Sequence, residues 1–191
     1  MTMIAKGKGK RKYNYDDYKN APEGVRIEII DGELYNMASP SRIHQKISME
    51  LCSEIRDFLK EQPCEVYAAP FGVFLGEEGQ ALRDRHCVEP DIAVICDPTK
   101  LIDEGCLGSP DFIIEIVSPS TQSHDYIRKL HLYNQYGVKE YWIVNPMNET
   151  ILVYVRENEN FGAPNIYTFK DAVPSAMLKS FAFDFSSIKL N

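Results

Sequence analysis

The sequence contains no apolar run of the length that crosses a membrane, which takes about 20 residues. Its first residues lack the apolar segment of a secretory signal peptide, and no internal repeat is visible along the chain. These absences predict a protein without a membrane helix, a leader or a repeat architecture. A chain of 191 residues with ordinary apolar and charged content is instead expected to form one domain with a substantial core.

Paired cysteines are also missing. The five cysteines are odd in number, and no two of them have Cys-x-x-Cys spacing. This pattern indicates neither a disulfide framework nor a zinc site, and it favours the reducing cytoplasm as the location of the protein. Cys52 and Cys96 fall within helix and strand patterns, where a free cysteine behaves as a small core residue.

Positive charge is scarce, since 21 lysines and arginines face 28 aspartates and glutamates and the net charge is −7. This balance disfavours a protein that coats nucleic acid, but it is compatible with a narrow catalytic cleft. The basic residues at the start form a glycine-spaced arm, residues 1–12, which we predict to be disordered. The arm either touches phosphates or only keeps the protein soluble. Residues 13–191 are predicted to form the single domain.

Turn residues and periodicity locate the first elements. The pair Asp31-Gly32 stands between two strand-like runs, which is the strongest short signal of a β-hairpin. Apolar residues at helical spacing predict a helix over residues 41–60, opened by Ser39, Pro40 and Ser41. His44 lies beside the apolar stripe near the start of this helix. It is either a structural hydrogen-bonding residue or a residue with a catalytic or substrate-contacting role.

A second helix is predicted over residues 121–136, between apolar strands at 111–117 and 140–144. Its expected apolar stripe is Tyr126, Ile127, Leu130, Tyr133 and Tyr136, with Gly137 as the C-cap. A helix between two apolar strands predicts a right-handed β-α-β crossover with parallel neighbours. The connection over residues 97–110 is expected to be a loop.

Two apolar runs, residues 88–96 and 111–117, each carry a carboxylate that a buried strand should not tolerate unpaired. If the runs pair antiparallel, Asp91 and Glu115 share one face with Cβ atoms roughly 4.5–5.5 Å apart. That separation suits a shared Mg²⁺ or Mn²⁺ ion. The alternative is two strand-end acids that face water. Asp111 lies too far along the strand to touch the same ion and is interpreted as a turn residue.

The order of these elements resembles the restriction-endonuclease-like, or PD-(D/E)XK, superfamily. The signature of that superfamily is Pro-Asp, followed later by Asp or Glu, one residue and Lys. Here the first part corresponds to Glu89-Pro90-Asp91 and the second to Glu115-Ile116-Val117. The resemblance narrows to the Uma-type putative restriction endonuclease family over roughly residues 15 to 155. The motifs that carry it are Ile30 through Glu33, Ser39 through Ser41 with His44, Glu89 through Asp91, Pro110 through Thr121, Asp125 with Lys129, and Tyr133 through Trp142.

The resemblance implies an α/β (α+β) fold with a mixed central β-sheet, flanking helices and an N-terminal β-hairpin. It also implies a Mg²⁺-dependent hydrolase of phosphodiester bonds, in which Asp91, Glu115 and the carbonyl of Ile116 hold the metal. Val117 stands where the superfamily has its lysine, and the family supplies that lysine from the next helix, here Lys129. The alternative role of Lys129 is an exposed salt bridge with Asp125. Glu33, His44 and Asp125 are further candidates for the site.

These observations predict a nuclease that acts on nucleic acid, with DNA favoured over RNA. The alternative is a binding module for nucleic acid or protein on the same fold, and a third possibility is a hydrolase of small phosphate esters. Tyr141, Trp142 and the tyrosine-rich second helix carry more aromatic surface than one small core needs, which predicts a homodimer.

Overall fold

The computed structural model describes residues 11–119 and 124–188, with His124 and Asp125 described by their backbone alone. Residues 1–10 of the predicted basic arm lie outside the described residues. No helix in the described ranges is long and apolar enough to cross a membrane. The α- and π-helical elements are α1 (Tyr15–Lys19), α2 (Arg42–Leu59), a π-helical segment (His124–Lys129) and α3 (Leu130–Gln135), and short 3-10 helices lie at Leu82–Asp84, Pro98–Lys100 and Phe185–Ser187.

The described strands form two large mixed sheets and one small hairpin. The first sheet has the order β2-β1-β5-β4-β8-β7, and the second has the order β12-β11-β10-β9-β6-β3, with β13 also paired to β11. In chain order the strands are β1 (Ile27–Ile30), β2 (Glu33–Asn36), β3 (Glu65–Ala68), β4 (Gly72–Leu75), β5 (His86–Val88), β6 (Ile92–Ile95), β7 (Leu101–Ile102), β8 (Gly105–Leu107), β9 (Phe112–Ile116), β10 (Glu140–Asn145), β11 (Thr150–Glu157), β12 (Asn160–Phe161), β13 (Asn165–Thr168), β14 (Ala172–Pro174) and β15 (Ala182–Asp184).

The predicted N-terminal hairpin is confirmed. Strands β1 and β2 pair antiparallel, with Ile30 opposite Glu33. Both loop residues adopt positive φ, 55° at Asp31 and 77° at Gly32, as a two-residue type I′ turn requires. The helix predicted over 41–60 is also confirmed as α2, and the Ser41 side chain caps it by accepting a hydrogen bond from the amide of His44.

The central strand pairing agrees with the prediction. Strand β6 pairs antiparallel with β9, and β9 pairs parallel with β10 across the crossover that contains α3. The interpretation of residues 88–96 as one continuous strand is wrong, because the chain changes sheets at Glu89-Pro90-Asp91. Proline has no N–H to donate to a ladder, so a strand cannot continue normally through Pro90.

The sheet that contains β6, β9 and β10 is covered on both faces. On one face, Ile47, Leu51 and Ile55 of α2 pack against alternate residues of β6, β9 and β10. On the other face, α3 and the sheet that begins with β1 and β2 complete a second core. Strands buried on both faces carry near-continuous apolar runs, which explains the composition of β9 and β10.

The π-helical segment alters the predicted apolar stripe of the second helix. Tyr126, Leu130, Tyr133 and Tyr136 contact the core, but Ile127 is 67% exposed. A π-helical turn contains an additional residue relative to an α-helical turn, so residues on either side of it do not keep 3.6-residue periodicity. Gly137 has a φ of 85° and ends α3, as predicted.

Two expectations about cysteine and loops are wrong. Cys96 forms a disulfide with Cys64 instead of remaining a free core residue. The register of β3 and β6 sets Glu65 opposite Ile95, and continuing it by one residue brings the two cysteines face to face. The connection over 97–110 is not an irregular loop throughout, because it contributes strands β7 and β8.

The largest aromatic residues that suggested a homodimer are inside the protein. Tyr141 and Trp142 are fully buried, on opposite faces of β10, and Tyr133 packs edge-on against Tyr141. The alternation of β10 gives each face of the sheet one of these large side chains. The reason for predicting a homodimer is therefore wrong.

Candidate active site

Asp91 and Glu115 lie opposite each other at the end of the β6–β9 pair. The register sets Ile92 opposite Ile114, and continuing it by one residue pairs Asp91 with Glu115. Glu115 alternates with Ile114 and Ile116, which face α2, so its side chain points to the other face of the sheet. Both residues line one cavity of about 750 Å³. The predicted juxtaposition of the two carboxylates is present.

Lys129 reaches Glu115 from the end of the π-helical segment. Its Nζ lies 2.9 Å from Oε1 of Glu115 and 2.8 Å from Oε1 of Glu28 on β1. Tyr133 on α3 donates a hydrogen bond of 2.7 Å to the same oxygen of Glu115. The interpretation of Lys129 as part of an exposed helix face is wrong, because only 2% of the residue is exposed.

Glu28, Glu115 and Lys129 form a buried charge cluster. All three are at most 3% exposed. A buried charge is tolerated only when it is paired and hydrogen-bonded, and each of the three meets this condition. The Lys129 ammonium therefore joins carboxylates from two different strands, Glu28 of β1 and Glu115 of β9.

The helical irregularity before α3 lies directly at this cluster. The π-helical segment ends at Lys129, and α3 begins at the next residue. π-Helical turns are frequent at functional sites because they change the direction in which a side chain points. Here Lys129 and Tyr133, four residues apart, both contact Glu115.

Asp91 is fixed by the start of α2 and by the backbone of β9. Its Oδ2 accepts a hydrogen bond of 2.7 Å from the amide of Ile116 and lies 3.0 Å from Nε2 of His44. The other ring nitrogen of His44, Nδ1, is buried without a hydrogen-bond partner in the described part of the chain. His44 therefore positions Asp91 and also lines the cavity.

Glu89, the first residue of the Glu-Pro-Asp motif, connects the site to the N-terminal elements. Its carboxylate accepts hydrogen bonds from Tyr18 (2.8 Å) and from Nε of Arg26 (2.7 Å). Its own amide donates to Glu28, which in turn contacts Lys129. Burial, and then the neighbouring Glu89 carboxylate, raise the pKa of Tyr18 well above its usual value, so the phenol remains a donor.

The cavity wall opposite the strands is formed by the hairpin and the π-helical segment. Arg128 stacks on the ring of Tyr35 and also hydrogen-bonds to its hydroxyl group. Burial and the hydrogen bond to Glu33 raise the pKa of Tyr35 to about 12. Exposed Met147 lies on the rim beside Pro146.

The donor set fits the metal ion that the fold implies. Mg²⁺ takes oxygen ligands and is commonly held by one or two carboxylates, with water and substrate phosphate completing its shell. Asp91, Glu115 and the backbone of Ile116 line the cavity and supply such oxygens. Among the described residues, no group of three or more histidine, cysteine or acidic side chains is arranged to hold a metal. The oxygens that Asp91, Glu115 and Ile116 supply are of the type that Mg²⁺ prefers.

Glu33, another predicted candidate, lies outside this cluster. It is exposed on the hairpin, where it accepts a hydrogen bond from Tyr35 and lies 3.5 Å from Arg128. The side chain of Asp125 lies outside the described residues. Asp111, which the sequence analysis interprets as a turn residue, is buried and accepts a hydrogen bond from the amide of Cys96.

The sequence interpretation missed Glu28. Its signal is the same as that of Glu115, since each is the only charged residue in a strand of isoleucines that is buried along its whole length. Arg26 was missed as well. It stands two residues before Glu28 and lines the same cavity.

The mixed sheet with its flanking helices is the fold of a restriction-endonuclease-like protein, and Asp91, Glu115 and Lys129 all line one cavity beside it. The chain matches the Uma2 family, described as putative restriction endonuclease, over residues 14–186, and it belongs to that family. This membership supports nuclease function and a nucleic-acid substrate.

Two individual proteins are similar to this chain. The uncharacterized protein slr1290 of Synechocystis sp. is 26% identical over 133 residues, which cover 69% of this chain and 67% of the relative. The crystal structure of a putative nuclease belonging to DUF820 from Anabaena variabilis has a TM-score of 0.72 and 21% identity, and the match covers 91% of this chain and 95% of that chain. The second likeness shows that the two proteins share a fold.

Proposed function

We propose that this protein is a metal-dependent endonuclease that hydrolyses phosphodiester bonds of DNA. The observation that carries the proposal is the contact between Lys129 and Glu115, on the cavity that Asp91 also lines. A carboxylate pair with an adjacent ammonium is the set of groups that phosphodiester hydrolysis needs. DNA is favoured over RNA because the family is described as a restriction endonuclease.

Each side chain of the cluster has a separate task in this proposal. The Lys129 ammonium holds the attacking water or faces the charge that develops on the phosphate. Tyr133 donates to Glu115 and Glu28 pairs with Lys129, so both groups keep their orientation. His44 and the amide of Ile116 hold Asp91 in the same way.

Asp91, Glu115 and the carbonyl oxygen of Ile116 would hold a Mg²⁺ or Mn²⁺ ion. Such an ion neutralises charge on the phosphodiester and activates water. The position of Asp91 and Glu115 on one cavity supports this assignment, because carboxylate oxygens are ligands that Mg²⁺ prefers. The protein supplies the orientation of the carboxylates and the exclusion of bulk water from Lys129.

A second candidate is a binding module that retains the fold without cleavage. The observation that favours it is that Lys129 pairs with two carboxylates at once, which neutralises much of its charge. In that case nucleic acid binds equally well with and without divalent ions, and no cleavage follows.

The test is incubation of DNA and RNA substrates with the protein in Mg²⁺, Mn²⁺ or EDTA. The nuclease predicts cleavage of DNA that EDTA abolishes and that Glu115→Gln lowers by about 10²-fold or more. Glu61→Gln, which changes an exposed carboxylate remote from the cavity, is the matched control and keeps full activity. Metal-independent binding without cleavage supports the module instead.

A further inference from the structure

Arg26 carries hydrogen-bonding capacity that the described residues do not use. Within this part of the chain, its guanidinium makes a single hydrogen bond, from Nε to Glu89. Its Nη2 is buried without a hydrogen-bond partner among the same residues. A buried donor without an acceptor is costly, so its persistence calls for an acceptor from a ligand.

Arg26 also lies at the junction of two cavities. Beyond the cavity of about 750 Å³ that holds Glu115 and Lys129, a second cavity of about 420 Å³ runs along α2. Both cavities are lined by Arg26, Pro40, His44 and Asp91. A ligand that passes from one to the other therefore crosses Asp91 and meets the guanidinium.

The lining of the second cavity suits an extended polar ligand. It contains the side chains of Ser48 and Ser53 and the exposed Met49 of α2. Arg56 lines its far end but is already bonded to Asp57 and Ser53. Arg26 is therefore the cation of this lining whose terminal amines have no protein acceptor among the described residues.

We propose that Arg26 binds the backbone phosphate next to the scissile one, and that the substrate strand runs from the first cavity into the second. This inference rests on the proposed nuclease function and deepens it, since it selects a polymeric nucleic acid over a small phosphate ester. A guanidinium presents parallel N–H donors that match two phosphate oxygens. The ion pair between Arg26 and Glu89 holds the guanidinium at the junction of the two cavities. Glu89 is two residues before Asp91 in the chain.

The experiment measures binding of a fluorescent DNA oligonucleotide by anisotropy, with Glu115→Gln in every variant so that no cleavage interferes. Arg26→Gln is compared with its parent and with Arg83→Gln, an exposed arginine that pairs with Asp16 outside both cavities. Oligonucleotides with one neutral methylphosphonate at successive positions locate the contact. Loss of Arg26 removes the charged partner of Glu89. Binding is therefore also measured for Glu89→Gln alone and for the double variant with Glu89→Gln and Arg26→Gln.

We expect Arg26→Gln to weaken binding about tenfold and to reduce the salt dependence of log K by about 0.7–0.9. One methylphosphonate position should weaken binding to the parent but not to the Arg26→Gln variant. Affinity and salt dependence equal to those of the Arg83→Gln control would overturn the proposal, as would equal methylphosphonate penalties in both proteins at every position. Binding is measured without cleavage. A wild-type protein that never cleaves DNA would therefore refute the proposed nuclease function, whereas the binding result would still test the role of Arg26.

Discussion

At the residue scale, the pairing of Lys129 with Glu28 and Glu115 determines both stability and chemistry. Loss of the ammonium removes the cation that contacts both buried carboxylates. Lys129→Met should lower the free energy of unfolding by about 3–5 kcal/mol, the range for breaking a buried ion pair. Adding Glu28→Gln should restore part of the loss, because it removes one of the two buried negative charges.

Urea unfolding measures this effect. The matched control is Lys60→Met, which removes an exposed lysine paired with Asp57 and should change stability by less than about 1 kcal/mol. An equal change in the two variants would show that Lys129 is not paired in the buried cluster.

His86 is expected to make stability depend on pH. Its Nδ1 accepts a hydrogen bond from the amide of Asp31, so the neutral ring carries its proton on Nε2 and donates to Tyr136. Burial lowers the pKa of His86 below its usual value, against the opposing effect of Asp31. As pH falls below about 6.5, the unfolded chain gains a proton that the folded chain resists, so stability falls.

Thermal unfolding between about pH 5 and 7 tests the histidine prediction. His86→Asn keeps an acceptor for the amide of Asp31 and removes the titration, so its stability should vary less over this range. His131→Asn changes an exposed histidine and should keep the wild-type profile. An unchanged profile in the His86 variant would refute the assignment.

The residue-scale chemistry was partly readable from the sequence. Glu115 could be identified because a carboxylate within a run of isoleucines requires a partner, and Asp91 followed from strand pairing. Glu28 carries the same signal, but its partner Lys129 is about 100 residues away, and only the tertiary fold joins them. The role of Arg26 was not predictable, since it depends on which of its amines remain unbonded.

At the element scale, Glu140 attaches the C-terminal hairpin to the central sheet. Its buried carboxyl accepts hydrogen bonds from Trp142, Ser175 and the amides of Ala176 and Met177. Glu140→Ala leaves these donors without an acceptor and should cost about 3 kcal/mol or more. Amide exchange should accelerate over β14 and β15 before it accelerates over α2. Glu78→Gln, which changes an exposed residue, is the control and should change neither the stability nor the exchange rates. Exchange that accelerates equally across the whole protein in the Glu140 variant would contradict this local role.

Elements with strong local signals were predictable, and elements that depend on distant contacts were not. The Asp31-Gly32 turn and the α2 stripe are encoded within a few residues. The π-helical segment was not predictable in this way, because it accompanies the tertiary contact between Lys129 and Glu115. Ile127 was consequently assigned to the core although it is exposed.

At the scale of the whole molecule, the division of strands between two sheets positions the site. The chain leaves one sheet after β5, passes Glu89, Pro90 and Asp91, and enters the other at β6. This crossing places Glu28 of one sheet near Glu115 of the other, with Lys129 between them. The sequence predicts one mixed sheet because both sheets have similar apolar strands, and local pattern does not assign a strand to a sheet.

In the nuclease that we propose, Lys129 acts in catalysis from its buried position beside Glu115. Single-turnover cleavage of DNA at saturating Mn²⁺ compares wild type with Lys129→Gln, and circular dichroism verifies that both proteins are folded. The predicted result is a rate lower by about 10²-fold or more for the variant, with metal affinity retained or increased because a nearby positive charge is removed. Equal rates in an active wild type would contradict the claim and would assign the catalytic lysine to another residue.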